Sequence, residues 1–393
     1  MNTMRSATRG YYREDECDLA EFASLVSKQT STGDCPTAEA IEKNVPVYDA
    51  NVLAETISDP DKRRALIAEW AAIFLNGAGV MAIKNASTDM AAIDEATAIY
   101  QDIIVREKEH SVGEGDHFAK AGANDRIWNS LQKLCEASPA VFARYFANPA
   151  IDAVCEAWLG PDYQMTAQVN LVHPGGEAQQ AHRDYHLGFQ SAQKLSTYPA
   201  HVHDLSPLMT LQGAIAHCDM PIESGPTKLL PYSQLYRPGY AAYRRADFQE
   251  YFEQHHVQLP LTKGDALFFN PALFHAAGAN TSADIQRLAN LLQISSPFGR
   301  SIETVNRRKM SELLYPELAR AKESNALSDA QISAAIAACA EGYSFPTNLD
   351  SDPPIGGMAP ETQAQLMHRA LAEGMAQGEF VAALDAMENR CKA

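Results

Sequence analysis

Before Tyr163 the apolar positions of the chain recur mostly at helical spacing. Leu66, Ile67, Trp70, Ile73 and Phe74 follow the helix-start signal Asp59-Pro60-Asp61, predicting an amphipathic helix closed by Gly77 and Gly79. Val80 to Ile83 then reads as a short strand. A second amphipathic helix is predicted from about Met90 to Glu109, and helical patterns return over Ile127 to Glu136 and Ala140 to Leu159. From Tyr163 the texture changes to short apolar or alternating runs punctuated by Gly and Pro. These are Thr166 to His173, Met209 to His217, Thr227 to Leu230, Ala266 to Phe269 and Leu288 to Ile294. Such spacing predicts an antiparallel sandwich or barrel. Beyond Glu303 helical patterns resume over Val305 to Glu323, Ser328 to Glu341 and Pro360 to Glu388, with a loop from Ser344 to Met358. Residues 1–60, polar and turn-rich, read as a loosely structured arm. The expected organisation is that arm, a β domain with supporting helices over 61–300, and a helical extension over 301–393 packing on the same domain.

Composition narrows the classes. The 393 residues are 46% hydrophobic and 21% charged, ordinary for a folded chain able to bury a sizeable core. A net charge of -17 works against a nucleic-acid surface, which needs clustered cations to displace counterions. The basic runs Arg244-Arg245 and Arg307-Arg308-Lys309 are short and sit among acids, so they read as solvated faces. No apolar run after the first basic residues looks like a secretory signal, and the longest apolar stretch, Ala65 to Ile83, is broken by Glu69, Asn76, Gly77 and Gly79. The seven cysteines are scattered and form no CxxC pair, which points to a reducing cytoplasm. The expected partner is a small-molecule substrate, with no nucleic acid and no membrane, and the C-terminal helices leave a homo-oligomer open.

The densest chemistry lies in Ala181-His182-Arg183-Asp184-Tyr185-His186, just after the turn Pro174-Gly175-Gly176. On a strand, side chains alternate, so His182 and Asp184 point the same way and can share one ion. His186 shares that face, but four residues of strand span about 13 Å, too far for a common metal with bonds of roughly 2 Å. A third ligand must come from elsewhere, and Phe268-Phe269-Asn270-Pro271-Ala272-Leu273-Phe274-His275 offers His275. Two histidines and one carboxylate suit non-haem iron(II) and leave positions open for substrate and oxygen. Taken singly, His182 and Asp184 also read as a surface turn, and His275 as a hydrogen-bonded core histidine. For His186, His201, His203, His217 and the cluster Glu253, His255, His256, the structural reading is preferred. Gly77-Ala78-Gly79-Val80-Met81-Ala82 fits a dinucleotide fingerprint in letters only, because there a helix precedes and a strand follows.

Three stretches in order resemble the phytanoyl-CoA dioxygenase-like branch of the iron(II)/2-oxoglutarate-dependent oxygenases. His182-Arg183-Asp184 is similar to the family's H-x-D, and Glu223-Ser224-Gly225-Pro226 through Pro231-Tyr232-Ser233-Gln234 to its E-N-G-x-L-x-x-x-P-G-S-H. Lys263-Gly264-Asp265-Ala266-Leu267-Phe268-Phe269 through His275, Gly278, Asn280 and Arg287 resembles G-D-x-L-F-F, H-x-x-G-x-N and the downstream arginine. The resemblance covers roughly Trp70 to Pro297. It implies a mainly β fold with flanking helices, a double-stranded β-helix (jelly-roll or cupin-like barrel) with N- and C-terminal helices. It also implies iron(II) on His182, Asp184 and His275, with 2-oxoglutarate as co-substrate and O2 as oxidant. Arg287 is then the expected partner of the remote carboxylate, Asn170 and its same-face neighbour Gln168 are candidate co-substrate contacts, and Lys120 is a looser one. Relatives often carry a hydroxyl two residues after the distal histidine, where this chain has Ala277. Halogenating relatives lack the acidic ligand, and Asp184 argues against that chemistry. The implied activity is hydroxylation of a small organic molecule with conversion of 2-oxoglutarate to succinate and CO2. The alternatives are a metal-dependent hydrolase or isomerase, or a non-catalytic binding protein, on the same barrel.

Overall fold

The computed structural model describes residues 10–110, 123–356 and 358–392. Its strands are β1 (Ala40–Glu42), β2 (Val45–Asp49), β3 (Val80–Lys84), β4 (Asn124–Ile127), β5 (Gln164–Val172), β6 (Thr210–Ala216), β7 (Lys228–Leu230), β8 (Ala266–Phe269), β9 (Phe274–Ala276) and β10 (Arg287–Ser295). The predicted runs at 80–83, 166–173, 209–217, 227–230, 266–269 and 288–294 all became strands, displaced by one or two residues at most. Two compact units share the chain. The first takes the described residues of 1–86, 113–126 and 170–291, the second those of 87–112, 127–169 and 292–393.

A major sheet runs in the order β1-β2-β3-β8-β6-β10-β5-β4, and β7 pairs with β9 in a minor one. Residues 170–172 of β5 and 287–291 of β10 belong to the first unit, and residues 164–169 and 292–295 of the same strands to the second. The minor sheet is extended by single bridges from His182 to His275 and from Leu229 to Val257. The mixed major sheet, small second sheet and flanking helices are those expected of the double-stranded β-helix. One pair departs from the antiparallel expectation: β2 runs parallel to β3. The helices Ala50–Ser58 and Pro60–Leu75 between them supply the crossover that a parallel pair requires.

Residues 19–58 correct the reading of the first segment as loosely structured. Leu19–Val26 is a helix capped by Asp18, and β1 and β2 join the major sheet. Phe22, Val45, Val47 and Tyr48 are all buried. The ring of Phe22 packs 4.9 Å from that of Phe274, among Tyr236, Tyr240 and Phe248. A run as short as Val45-Pro46-Val47-Tyr48 shows no period by itself, and it becomes a strand because β3 offers it a partner.

In the second unit the helices are Met90–His110, Ser130–Ala137, Pro139–Phe146, Pro149–Leu159, Arg307–Glu323, Asp329–Cys339, Gln363–Glu373 and Gln377–Cys391. The predicted helix over 140–159 is divided because Pro149 lacks the N–H needed to continue it, and Asn148 caps the new helix through Ala150 and Ile151. The buried Arg307 ties the unit together, donating to the carbonyls of Met165 at 2.8 Å and Cys339 at 3.2 Å.

Candidate active site

His275 occupies the middle of β9, where Phe274 and Ala276 turn into the aromatic core and the imidazole turns the opposite way. The segment around His182 lies alongside it. His182 N–H donates to His275 O at 3.0 Å and His275 N–H to His182 O at 3.2 Å, so the two histidines are direct cross-strand partners. Ala181 and Arg183 are buried on the core side, leaving His182 and Asp184 on the face of His275. After Asp184 the strand ends: Tyr185 and His186 adopt positive φ, and the His186 ring turns to Ser206 Oγ at 3.1 Å.

The three ligand atoms lie within 4.8 Å of one another, and among the described residues this is the only such group. His182 Nε2 is 3.7 Å and His275 Nε2 3.4 Å from the Asp184 carboxylate. Ligands held at right angles roughly 2.1 Å from one ion stand about 3 Å apart, so the set closes on a metal with small shifts. The tautomers are decided by the backbone. His182 Nδ1 lies 2.9 Å from Gln180 O and His275 Nδ1 2.8 Å from Leu273 O. A carbonyl only accepts, so each Nδ1 carries the proton and each Nε2 presents its lone pair to the shared space.

Electrostatics complete the donor set. Burial lowers the pKa of His182, with His275 and Arg126 adding to the effect and Asp184 opposing it. Although burial pushes the Asp184 carboxyl up, the adjoining imidazoles, whenever they carry charge, and the Gln212 amide hold it well below the usual carboxylate range. A neutral imidazole and an ionised carboxylate are the forms that bind metal. Gln212 Nε2 donates to Asp184 Oδ2 at 2.5 Å, and the Phe269 ring sits 4.6 Å from His275. These two residues are register partners on β6 and β8 and so share a face of the major sheet. No local motif marks Gln212, and the sequence reading missed it.

Arg287 opens β10 and is 7% exposed. Its Nη1 donates to Ser224 O at 3.1 Å and Gly278 O at 3.2 Å, and no carboxylate among the described residues pairs with it. Burial pulls its pKa down to about 10, still protonated at neutral pH. Gly278 stands three residues past His275, so the guanidinium and the distal imidazole are tied to one short stretch. The two loops that hold Arg287 meet closely: a Cβ at Gly225, where φ is +75°, would lie 2.3 Å from Ala279 O, and one at Gly278 would lie 2.8 Å from Pro226 O. Asn170 is buried on β5 with no partner for its Oδ1. Gln168, two residues earlier on the same strand face, is buried in the second unit. Lys120 lies outside the described residues.

The remaining motif positions are scaffold. Asp265 accepts from Asn85 N–H and from the N–H and hydroxyl of Thr262, closing the turn before β8. Asn280 donates to Val172 O and Ile285 O, fixing the loop between His275 and Arg287. Gln234 donates to Gly77 O at 2.8 Å, closing the end of the helix that ran from Pro60. Gly77 to Gly79 thus close the helix and Val80 to Ala82 open β3, the reverse of the order a dinucleotide fingerprint needs.

A family model described as Phytanoyl-CoA dioxygenase (PhyH) matches residues 75–289, more than half of the chain. The chain belongs to the phytanoyl-CoA dioxygenase family. The matched span holds the bridged histidines, Asp184 and Arg287. The chain is 28% identical over 144 residues to dioxygenase andF of Emericella variicolor. That alignment covers 36% of this chain and 45% of the other, so the chain spans under half the length of that relative. Among solved structures it resembles the epimerase SnoN in complex with Fe3+, alpha-ketoglutarate and nogalamycin RO, at 18% identity and a TM-score of 0.41 over 61% of this chain and 85% of that one. It also resembles the alpha-ketoglutarate-dependent carbocyclase SnoK, at 20% identity and a TM-score of 0.44 over 60% and 86%. No helix among the described residues is long and apolar enough to cross a membrane.

Proposed function

We propose that this protein is an iron(II)- and 2-oxoglutarate-dependent dioxygenase that hydroxylates a small organic molecule. The observation that carries the reading is the convergence of two Nε2 lone pairs and one ionised carboxylate, with a buried, carboxylate-free guanidinium held by the same loop as His275. Family membership supports it. The donor set suits ferrous iron: its nitrogen and oxygen ligands leave several positions open, whereas a closed structural site would not.

His182, Asp184 and His275 would hold the metal. Arg287 would take the remote carboxylate of 2-oxoglutarate, since its fork matches a carboxylate and keeps its charge. With Ala277 in place of a hydroxyl, that end of the co-substrate depends on Arg287. The orphaned Asn170 amide would meet the co-substrate, and Gln168 stands next along the strand face. Bound iron and 2-oxoglutarate supply the oxidising power: one oxygen atom of O2 enters the substrate as hydroxyl and the other enters succinate, with CO2 released. The chain's own contribution is geometric. Gln212 occupies Asp184 Oδ2 and would leave Oδ1 free for the metal, the two backbone carbonyls fix the imidazole tautomers, and Phe269 covers one side of His275. Seven cysteines without disulfides suit a reducing compartment, and we place the enzyme in the cytoplasm.

The test is aerobic incubation with iron(II), ascorbate and 2-oxoglutarate across a substrate panel, with succinate measured. His182→Ala and Asp184→Ala should abolish turnover. A visible charge-transfer band on adding 2-oxoglutarate to the ferrous protein under nitrogen is expected. Its absence, with zinc retained from iron-replete cells, would favour the hydrolase or isomerase instead.

A further inference from the structure

Arg183, between the two ligands of the H-x-D segment, points away from the metal face and is 2% exposed. Its guanidinium lies 5.1 Å from the Tyr240 ring centroid and 5.2 Å from that of Phe274, the residue before His275. One nitrogen, Nη2, donates to Ser233 O at 2.6 Å and Tyr236 O at 2.9 Å. Ser233 also reaches the other ligand segment, because its hydroxyl accepts from Phe274 N–H at 2.7 Å while donating to Leu230 O. Tyr240 closes the circuit, donating its hydroxyl to Asp184 O at 3.2 Å. We infer that Arg183 is a positioning residue that holds the His182–Asp184 segment and the His275 strand at metal-binding separation by anchoring both to Ser233.

The inference rests on the metal-binding reading above and goes beyond it to a residue that touches no ligand site. A guanidinium buried without a carboxylate is costly, and an apolar side chain of similar volume would fill the space at less expense to stability. Stability alone therefore does not explain an arginine here. What the guanidinium adds is direction: its Nη2 makes two hydrogen bonds to the loop that also grips Phe274. The segments also meet through backbone bonds at His182–His275, from Gln179 N–H to Ala277 O and from Asp184 N–H to Pro271 O, and the Arg183–Ser233 clamp adds a tie on the core side of that ladder. Gly239 shows how closely the guanidinium is seated, since a Cβ there would lie 1.9 Å from Arg183 Cζ.

Cobalt(II) titration of the full chain, read by its visible ligand-field bands, tests the assignment without any turnover. Arg183→Met and Arg183→Lys should each weaken cobalt binding by about 10- to 100-fold while far-UV circular dichroism of the metal-free protein stays native. Gly239→Ala, which leaves Arg183 in place and displaces only its guanidinium, should weaken binding in the same direction. It also decides the matter if an Arg183 variant does not fold. Affinities within twofold of wild type in the folded variants would overturn the inference, and so would full rescue by lysine, which keeps the charge and loses the planar group seated between the Tyr240 and Phe274 rings. A wild-type chain that bound no cobalt would instead overturn the functional reading itself.

Discussion

Replacing Arg287 by methionine separates the two roles that a buried arginine can play. In the metal-free protein its charge sits almost wholly buried against two carbonyls, and burial holds its pKa at about 10 against an ordinary 12.5. At about 1.4 kcal/mol per pKa unit, the folded state carries roughly 3 kcal/mol of unrelieved charge burial. The sign follows from linkage: a base whose folded pKa is depressed destabilises the fold at every pH below that value, and the penalty is relieved only as pH rises through about 10 toward 12.5. Methionine removes that cost and loses two bonds to carbonyls, so the melting temperature of the metal-free chain should hold steady or rise. In the proposed complex, the same change removes the partner of the co-substrate's remote carboxylate. Two charge-assisted hydrogen bonds at about 1.5–3 kcal/mol each predict 2-oxoglutarate binding weakened by about 10²- to 10⁴-fold. Anaerobic titration of the ferrous protein, following the charge-transfer band, measures that affinity, and differential scanning calorimetry measures the stability. A melting temperature that collapses while 2-oxoglutarate affinity stays within threefold of wild type would refute the reasoning and make Arg287 a structural residue.

Other outcomes follow from single contacts. Gln212→Leu removes the donor to Asp184 Oδ2 and should weaken ferrous binding about tenfold by isothermal titration, whereas unchanged affinity would deny the amide an orienting role. Tyr232 stands at φ +68° where the family pattern has glycine, yet its ring is 5% exposed and its hydroxyl meets Thr30 at 2.7 Å. Tyr232→Gly relieves about 1 kcal/mol of backbone strain but forfeits about 2–3 kcal/mol of ring burial, so urea unfolding should show a net loss, and a gain would contradict this balance. Burial lowers the pKa of His182 below its ordinary 6.5. Below pH 6.5 the unfolded chain therefore takes up a proton that the native metal-free protein refuses, and stability should fall as the pH drops. His182→Gln should flatten that dependence as the pH falls below 6.5, and parallel stability curves would rule it out.

Local chemistry made much of this molecule readable in advance. The helix from Pro60, the strands β3, β5, β6, β8 and β10, and the placing of His182 and Asp184 on one face all follow from side-chain periodicity and from capping residues acting on their neighbours. Those interactions span a few residues, so their pattern survives in the linear order. The donor set was legible for the same reason: His182 and Asp184 are two residues apart, and only their partner was distant. Gln212, the clamp from Arg183 to Ser233, and the burial of Phe22 and Tyr48 were decided by tertiary packing. Each depends on segments 20 or more residues apart that meet only once strands have paired, and neither periodicity nor motif encodes which amide will face which carboxylate. The chain's order thus prescribed the candidate donor residues and most of the elements. The register of His182 against His275, and the unpaired charge of Arg287 between two loops, came from closing those elements upon one another.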